Sequence, residues 1–400
     1  MIRDRNIICV ASNWFEHPTS KQHIMRLLAE QNHILWVNYH ASRRPKLNRS
    51  DSRMIFRRLR QAWTGVRRVS RGPSGTIDVL SPLLLPLPES PTARFLNARL
   101  LIRQISSTLE SLPQYPTQLW LFTPDAPELI RPLQPEKVVY YCVDDFAAFT
   151  GYNTALVTRL EQSTLGAADV VITTSETLYE RHRQQHPDTH LVPHGVDFEH
   201  FASTADVSVE QLPPDIRDIP KPVFGYLGLI SHYVDLDLIA GAARRKPEWS
   251  FVLIGSVRCD TCALNGLDNV HLLGGKPYDE LPRYCRAFDV GLIPFRMNRL
   301  TRAVNPIKLR EYLAAGLPVV SAPLPEVLRY TPAVHTAETL DRFIAACGTA
   351  LVASQDGNSA GRRALVRQES WRARVEQLSQ VVMGTGSESA RVEPALTSVG

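Results

Sequence analysis

Short, continuous apolar runs recur along the chain: Ile7–Ala11, Ile34–Asn38, Leu119–Phe122, Val138–Val143 and Val170–Thr173. They are too short for helices and too uniformly apolar for half-exposed strands, so they predict buried strands. Between them, Ser20–Gln31 places Ile24, Leu27 and Leu28 on one helical face, and Ala155–Ala168 is a second amphipathic stretch. Strands alternating with helices predict a parallel sheet covered on both faces. The pattern breaks at Val192-Pro193-His194-Gly195-Val196-Asp197 and stays broken through an acidic, proline-containing passage to Pro222, which reads as a linker. It then restarts. Val223–Leu227, Phe251–Ile254, Val270–Leu272, Val290–Pro294 and Val319–Ser321 read as strands, and Asp235–Arg245 and Tyr278–Ala287 as helices. Pro332–Ala353 continues the unit with a helix, and Ser370–Val382 is a final amphipathic helix.

The best-marked element is Asn305–Ala322. Asn305 suits an N-cap and Pro306 the first helical position. Leu309, Tyr312 and Leu313 share a face, while Gly316 and Pro318 end the helix. Lys308 and Glu311, three apart, share a neighbouring face. A helix N-terminus with a lysine attracts an anion, and a carboxylate one turn on can accept hydrogen bonds from hydroxyls. A phosphate joined to a ribose fits that pattern.

Composition adds bounds. The chain has 400 residues, enough for two cores, and its 44% apolar and 21% charged content is that of a soluble globular protein. No apolar run has the length of a membrane span; Val79–Pro88 is broken by prolines. The apolar run after Arg5 is too short for a signal-peptide core. Four of the six cysteines stand singly; Cys259 and Cys262 form a lone CxxC without the second pair a zinc site needs. Reduced thiols in a cytoplasmic protein are the expectation. Net charge is +5, yet residues 43–71 hold eleven Arg or Lys against one Asp, leaving the remainder at −5. Ile55, Leu59, Trp63 and Val66 would share a helical face there, ringed by Arg53, Arg57, Arg60 and Arg67. That reads equally as a helix lying on an anionic membrane surface or as an insertion packed on its own domain. No recognised nucleic-acid module accompanies the charge. The first strand runs into Ser12-Asn13-Trp14-Phe15, without GxGxxG, and no GxxxxGK[ST] occurs, so dinucleotide oxidoreductase and P-loop classes are disfavoured.

Taken in order, several segments resemble the GT-B glycosyltransferases, specifically the large retaining family 4. Asn305–Ala322 resembles that family's donor-site helix, and Phe224–Ser231 its first donor-domain strand and loop. Asn269–Gly274, Leu281–Tyr284 and Phe288–Pro294 follow the family's order, as do Ala168–Ser175, Val192–Phe201 and Ser370-Trp371. Tyr140–Phe146 and Ile230–Leu236 resemble a subgroup from exopolysaccharide and cell-wall glycan assembly. The resemblance implies an α/β GT-B fold of two Rossmann-like, doubly wound domains facing an interdomain cleft. The expected layout is an acceptor domain at 1–195, a linker at 196–221 and a donor domain at 222–366. A helix at 367–383 returns to the first domain, and the Gly/Ser/Glu-rich tail at 384–400 is expected to be disordered.

The implied reaction moves a sugar from a nucleoside-diphosphate sugar, with retention, to a glycan or lipid-linked saccharide, without metal or cofactor. The expected location is the cytoplasm or the inner face of the plasma membrane. Donor binding falls to Gly228, His232, Arg302, Asn305, Lys308 and Glu311. Catalytic roles fall to Lys308 on the diphosphate and to Asp144 or Asp145 on the acceptor hydroxyl. Asn13, His194 and Gly195 are acceptor-side or hinge candidates. Each has a plainer reading: surface lysine, loop carboxylate, ordinary turn glycine. Two departures stand out. The family's first glutamate would fall at Ala303, and its Arg and Lys after the first donor strand are replaced by His232 and Asp235. A sugar-nucleotide epimerase of this fold and a non-catalytic glycan- or membrane-binding homologue are the alternatives.

Overall fold

The computed structural model describes residues 1–39, 65–71 and 75–384. The helical face expected from Ile55, Leu59 and Trp63, with Arg53, Arg57 and Arg60, and the tail at 385–400 lie outside the described residues. Contacts divide the chain into unit 1, residues 1–193 with 375–384, and unit 2, residues 194–374.

Unit 1 contains β1 (Asn6–Ala11), β2 (His33–Asn38), β3 (Val66–Arg71), β4 (Thr76–Leu80), β5 (Thr117–Leu121), β6 (Lys137–Cys142), β7 (Val170–Thr173) and β8 (Thr189–Leu191). They form one sheet in the order β3-β4-β2-β1-β5-β6-β7-β8. Only the edge strand β3 runs antiparallel, against β4. β1 and β6 are apolar along their length because helices cover both faces. The main helices are α1 (Ser20–Leu28), α2 (Pro91–Leu109), α3 (Thr154–Leu165) and α4 (Glu176–His182).

Unit 2 contains β9 (Val223–Leu227), β10 (Ser250–Ile254), β11 (Val270–Gly274), β12 (Val290–Ile293), β13 (Val319–Ser321) and β14 (Val334–Thr336). All are parallel, in the order β11-β10-β9-β12-β13-β14. Its main helices are α5 (Leu236–Arg245), α6 (Leu281–Ala287), α7 (Ile307–Ala314) and α8 (Leu340–Ser354); α9 (Trp371–Val382) starts in unit 2 and ends in unit 1.

Four expectations need correction. Val66 lies in β3 rather than on a helical face: its segment closes a sheet edge by pairing with β4. The passage at 196–221 is no free linker, because Phe198, Phe201, Leu212 and Ile216 are buried in the core of unit 2. Pro332–Ala353 holds the edge strand β14 before its helix. Finally, α7 begins at Ile307 with Pro306 at the N-cap, one residue later than the motif suggests, and Asn305 lies outside it. Cys9, Cys142, Cys285 and Cys347 are buried free thiols, whereas Cys262 is exposed. No helix among the described residues is long and apolar enough to cross a membrane.

Candidate functional site

Unit 2 reverses its winding between β9 and β12. In open parallel sheets such a reversal leaves a crevice beyond the carboxyl ends of the strands. Lys308, in the first turn of α7, reaches this point. Its Nζ lies 4.6 Å from the ring centroids of both Tyr226, in β9, and Phe295, just past β12. It also donates to Tyr226 Oη at 3.3 Å. The ring faces favour the cation. Loss of water disfavours it: burial lowers the ammonium to a pKa of about 8, with Glu311 opposing the shift. Burial raises Glu311 to about 7, against the pull of Lys308 and with Asp197 adding to the rise. Both side chains keep some surface accessible. The pair can therefore change charge near neutrality.

Two glycines shape the loops beside Lys308. Gly228 has φ +125 and donates its amide to Ile254 O at 2.8 Å; a Cβ there would stand 3.2 Å from Lys308 Nζ. Gly255 has φ +154, and its Cβ would fall 1.8 Å from the Gly228 carbonyl oxygen. The loops after β9 and β10 close together because Gly255 carries no side chain, while Gly228 leaves room for the end of Lys308.

The other donor-side candidates are more dispersed. Asn305 is buried, with Nδ2 donating to Glu326 at 3.2 Å and Oδ1 accepting from Arg310 at 2.6 Å. Its amide anchors the loop before α7 and is turned into the protein. His232 is exposed, 3.1 Å from Ser231 Oγ and edge-on to Tyr233. Arg302 is exposed at the end of a helical turn, Arg299–Arg302. The nearby Arg296 is paired with Asp235 and Asp237 at 3.3 and 2.6 Å. Ala303 is fully buried. His194 is buried against the Trp371 ring, and a Cβ on Gly195 would meet Trp371 Cα at 2.9 Å. That loop packs closely on the start of α9.

In unit 1 the winding reverses between β1 and β5. Asn13, after β1, accepts from the Phe15 amide at 3.2 Å and shapes its own turn. Lys21, in the first turn of α1, donates to Ser12 Oγ at 3.4 Å. Asp144, after β6, is half-buried, and burial lifts it to about 6, with Lys21 opposing and Asp145 adding. Asp145 points inward and pairs with Arg181 at 2.9 Å. The two aspartates thus separate: Asp145 holds α4, and Asp144 is left near neutral titration.

A family described as Glycosyl transferases group 1 matches residues 221–353. Residues 221–353 form a group 1 glycosyl transferase domain, on a GT-B fold. A Bacillus subtilis protein described as a teichuronic acid biosynthesis glycosyltransferase, TuaH, is 27% identical over 292 residues, 65% of this chain and 70% of that protein. Among solved structures, sucrose-phosphate synthase from Thermosynechococcus elongatus superposes with a TM-score of 0.67 at 16% identity, over 95% of this chain and 99% of that one. Anabaena HepE, in complex with UDP and glucose, gives 0.63 at 13%, over 94% and 99%.

Four residues near these candidates were not among the site residues expected from sequence: Lys21 and Phe295, and Asp197 and Tyr226, which lie within the resembling segments. Only Lys21 carried a local signal, since it follows the first strand in a first helical turn much as Lys308 opens α7. Asp197, Tyr226 and Phe295 come together with the Lys308–Glu311 pair only through the fold. One trio among the described residues has metal-ligand proximity: Cys142, Glu161 and His182. All three are buried; Tyr140 Oη donates to Glu161 at 2.6 Å, and Cys142 Sγ lies 3.4 Å from His182 Nε2. Burial holds His182 neutral, at about 4. With Tyr140 on the carboxylate and the thiol against the ring, the trio is a hydrogen-bonded tie between β6, α3 and α4.

Proposed function

We propose that the glycosyltransferase takes a nucleoside-diphosphate sugar on unit 2 and transfers the sugar, with retention, to a cell-wall glycan or a lipid-linked precursor of one. The observation that carries this reading is Lys308 at the strand reversal of unit 2 with Glu311 one turn on, inside the segment the family matches. Lys308 and the N-terminus of α7 would balance the charge that grows on the diphosphate as the anomeric carbon–oxygen bond breaks. That leaves no step requiring a metal or cofactor. Glu311 would accept hydrogen bonds from the ribose hydroxyls. Asp144, near neutral titration, suits holding the acceptor hydroxyl and taking its proton. The relative assigned to teichuronic acid biosynthesis supports a cell-wall glycan as acceptor.

The test is a thermal-shift screen with UDP, GDP, ADP and their sugars on the wild type, Lys308→Ala and Glu311→Ala. One nucleotide should raise the wild-type midpoint, with both variants responding much less. If no nucleotide stabilises the wild type, or all three proteins respond alike, the donor assignment fails. The buried Ala303, where the family carries a glutamate, favours a second reading as a donor-binding homologue without turnover. Release of nucleoside diphosphate in the presence of a glycan acceptor would dismiss it.

A further inference from the structure

Helix α2 is apolar on the side that faces water. Its inner face is filled by Ala93, Asn97, Leu101 and Ile105. Its outer face shows Phe95 at 58% exposure, Leu96 at 51% and Leu100. The run leading into it has the same character: Leu84 is buried, whereas Leu83, Leu85 and Leu87 are exposed. Asn97 fixes this run to the helix, accepting from the Leu85 amide at 2.8 Å and donating to its carbonyl at 2.9 Å. The Asn97 side chain thus pins the run at Leu85, and six large apolar side chains face outward, at a cost a water-soluble surface does not ordinarily bear.

Charge narrows the choice of partner. The nineteen residues of α2 include Arg94, Arg99 and Arg103 and no Asp or Glu. Arg94 is tied to Glu128, but Arg99 and Arg103 are exposed. The Arg99 guanidinium lies 5.6 Å from the Phe95 ring centroid, so its stem runs along the apolar face. Exposed acids stand only beyond its two ends, at Glu89 and Glu110. Apolar side chains on a helix whose own charged residues are all arginines match the boundary between acyl chains and anionic headgroups. We propose that α2 and the Leu83–Leu87 run dock on an anionic bilayer, with the apolar side chains at the acyl boundary and Arg99 and Arg103 toward lipid phosphates. The inference rests on and deepens the reading of a lipid-linked acceptor, and it assigns the contact to residues other than the basic 43–71 segment.

The test is co-sedimentation of the full chain with vesicles of phosphatidylcholine alone and of phosphatidylcholine with an equal part of phosphatidylglycerol. The wild type should partition onto the anionic vesicles. The triple variant Phe95→Ser, Leu96→Ser, Leu100→Ser should partition about tenfold less or weaker still. The double variant Arg99→Gln, Arg103→Gln should lose most of the preference for anionic lipid. The idea is overturned if the wild type stays in solution, or if the triple variant sediments like the wild type. It is also overturned if the triple variant instead converts a wild-type dimer to a monomer, which would make the face a self-association surface. Nucleotide thermal shifts on the same samples keep the two readings apart. Vesicle binding without any nucleotide response would sink the donor assignment and leave the surface standing.

Discussion

At the residue scale, the Lys308–Glu311 pair ties folding chemistry to pH. Lys308 is held down to about 8 and Glu311 up to about 7, in both cases mainly by burial. Lys308 is charged below its value and Glu311 ionised above its own, so both carry charge together only between about 7 and about 8. Nucleotide affinity should peak in that window. It should fall on the alkaline side as the ammonium loses its proton, and on the acid side as the carboxylate gains one. A bound diphosphate favours charged Lys308, so binding on the alkaline limb should take up a proton, measurable by calorimetry in buffers of different ionisation enthalpy. Lys308→Arg should flatten the alkaline limb. An affinity that is level across the whole range would refute the pairing. Stability without nucleotide follows the opposite logic. Glu311 binds its proton more tightly folded than unfolded, so its contribution falls as pH rises through the range between 4.5 and about 7. Lys308 binds its proton less tightly folded, so its contribution rises with pH between about 8 and 10.5.

At the element scale, strands were easy to read and edges were not. β1, β6 and β9 are continuous apolar runs because both of their faces are covered. β3 is Val-Arg-Arg-Val-Ser-Arg, an edge strand whose exposed arginines resemble any surface segment. The sequence of α2 shows no clear helical period, because apolar residues also occupy its outer face. The loops after β9 and β10 offer a sharp test. Gly255→Ala places a Cβ into the Gly228 carbonyl and keeps a φ of +154, so it should cost about 2 kcal/mol or more and weaken nucleotide binding. Gly266→Ala, with φ +72 and open space around it, should cost about 1 kcal/mol and leave binding intact. Chemical denaturation with and without the stabilising nucleotide distinguishes them; equal effects on binding would remove the close-packed loops from the site.

At the scale of the whole molecule, each unit has its own sheet and core, and α9 connects them in sequence. Val375, Leu378 and Val382 are buried in unit 1 although they follow the whole of unit 2 in the chain. Leu378→Ala should cost about 2–5 kcal/mol. In scanning calorimetry it should lower one transition, while nucleotide raises another. A single transition moved by both would show that the units unfold together. By itself, the sequence determined the two α/β units, most of their strands and the Lys308–Glu311 spacing, because apolar periodicity and helix geometry are local properties of the chain. It also offered Asn305 and Asp145 as site residues, since a motif records residue type without direction. Tertiary structure turned both inward, onto Arg310 and Arg181. Only the fold brought Tyr226, Phe295 and Asp197 to the lysine and glutamate, and Lys21 to Asp144. The burial that moves those groups toward neutrality depends on segments far apart in sequence, and no local pattern encodes it.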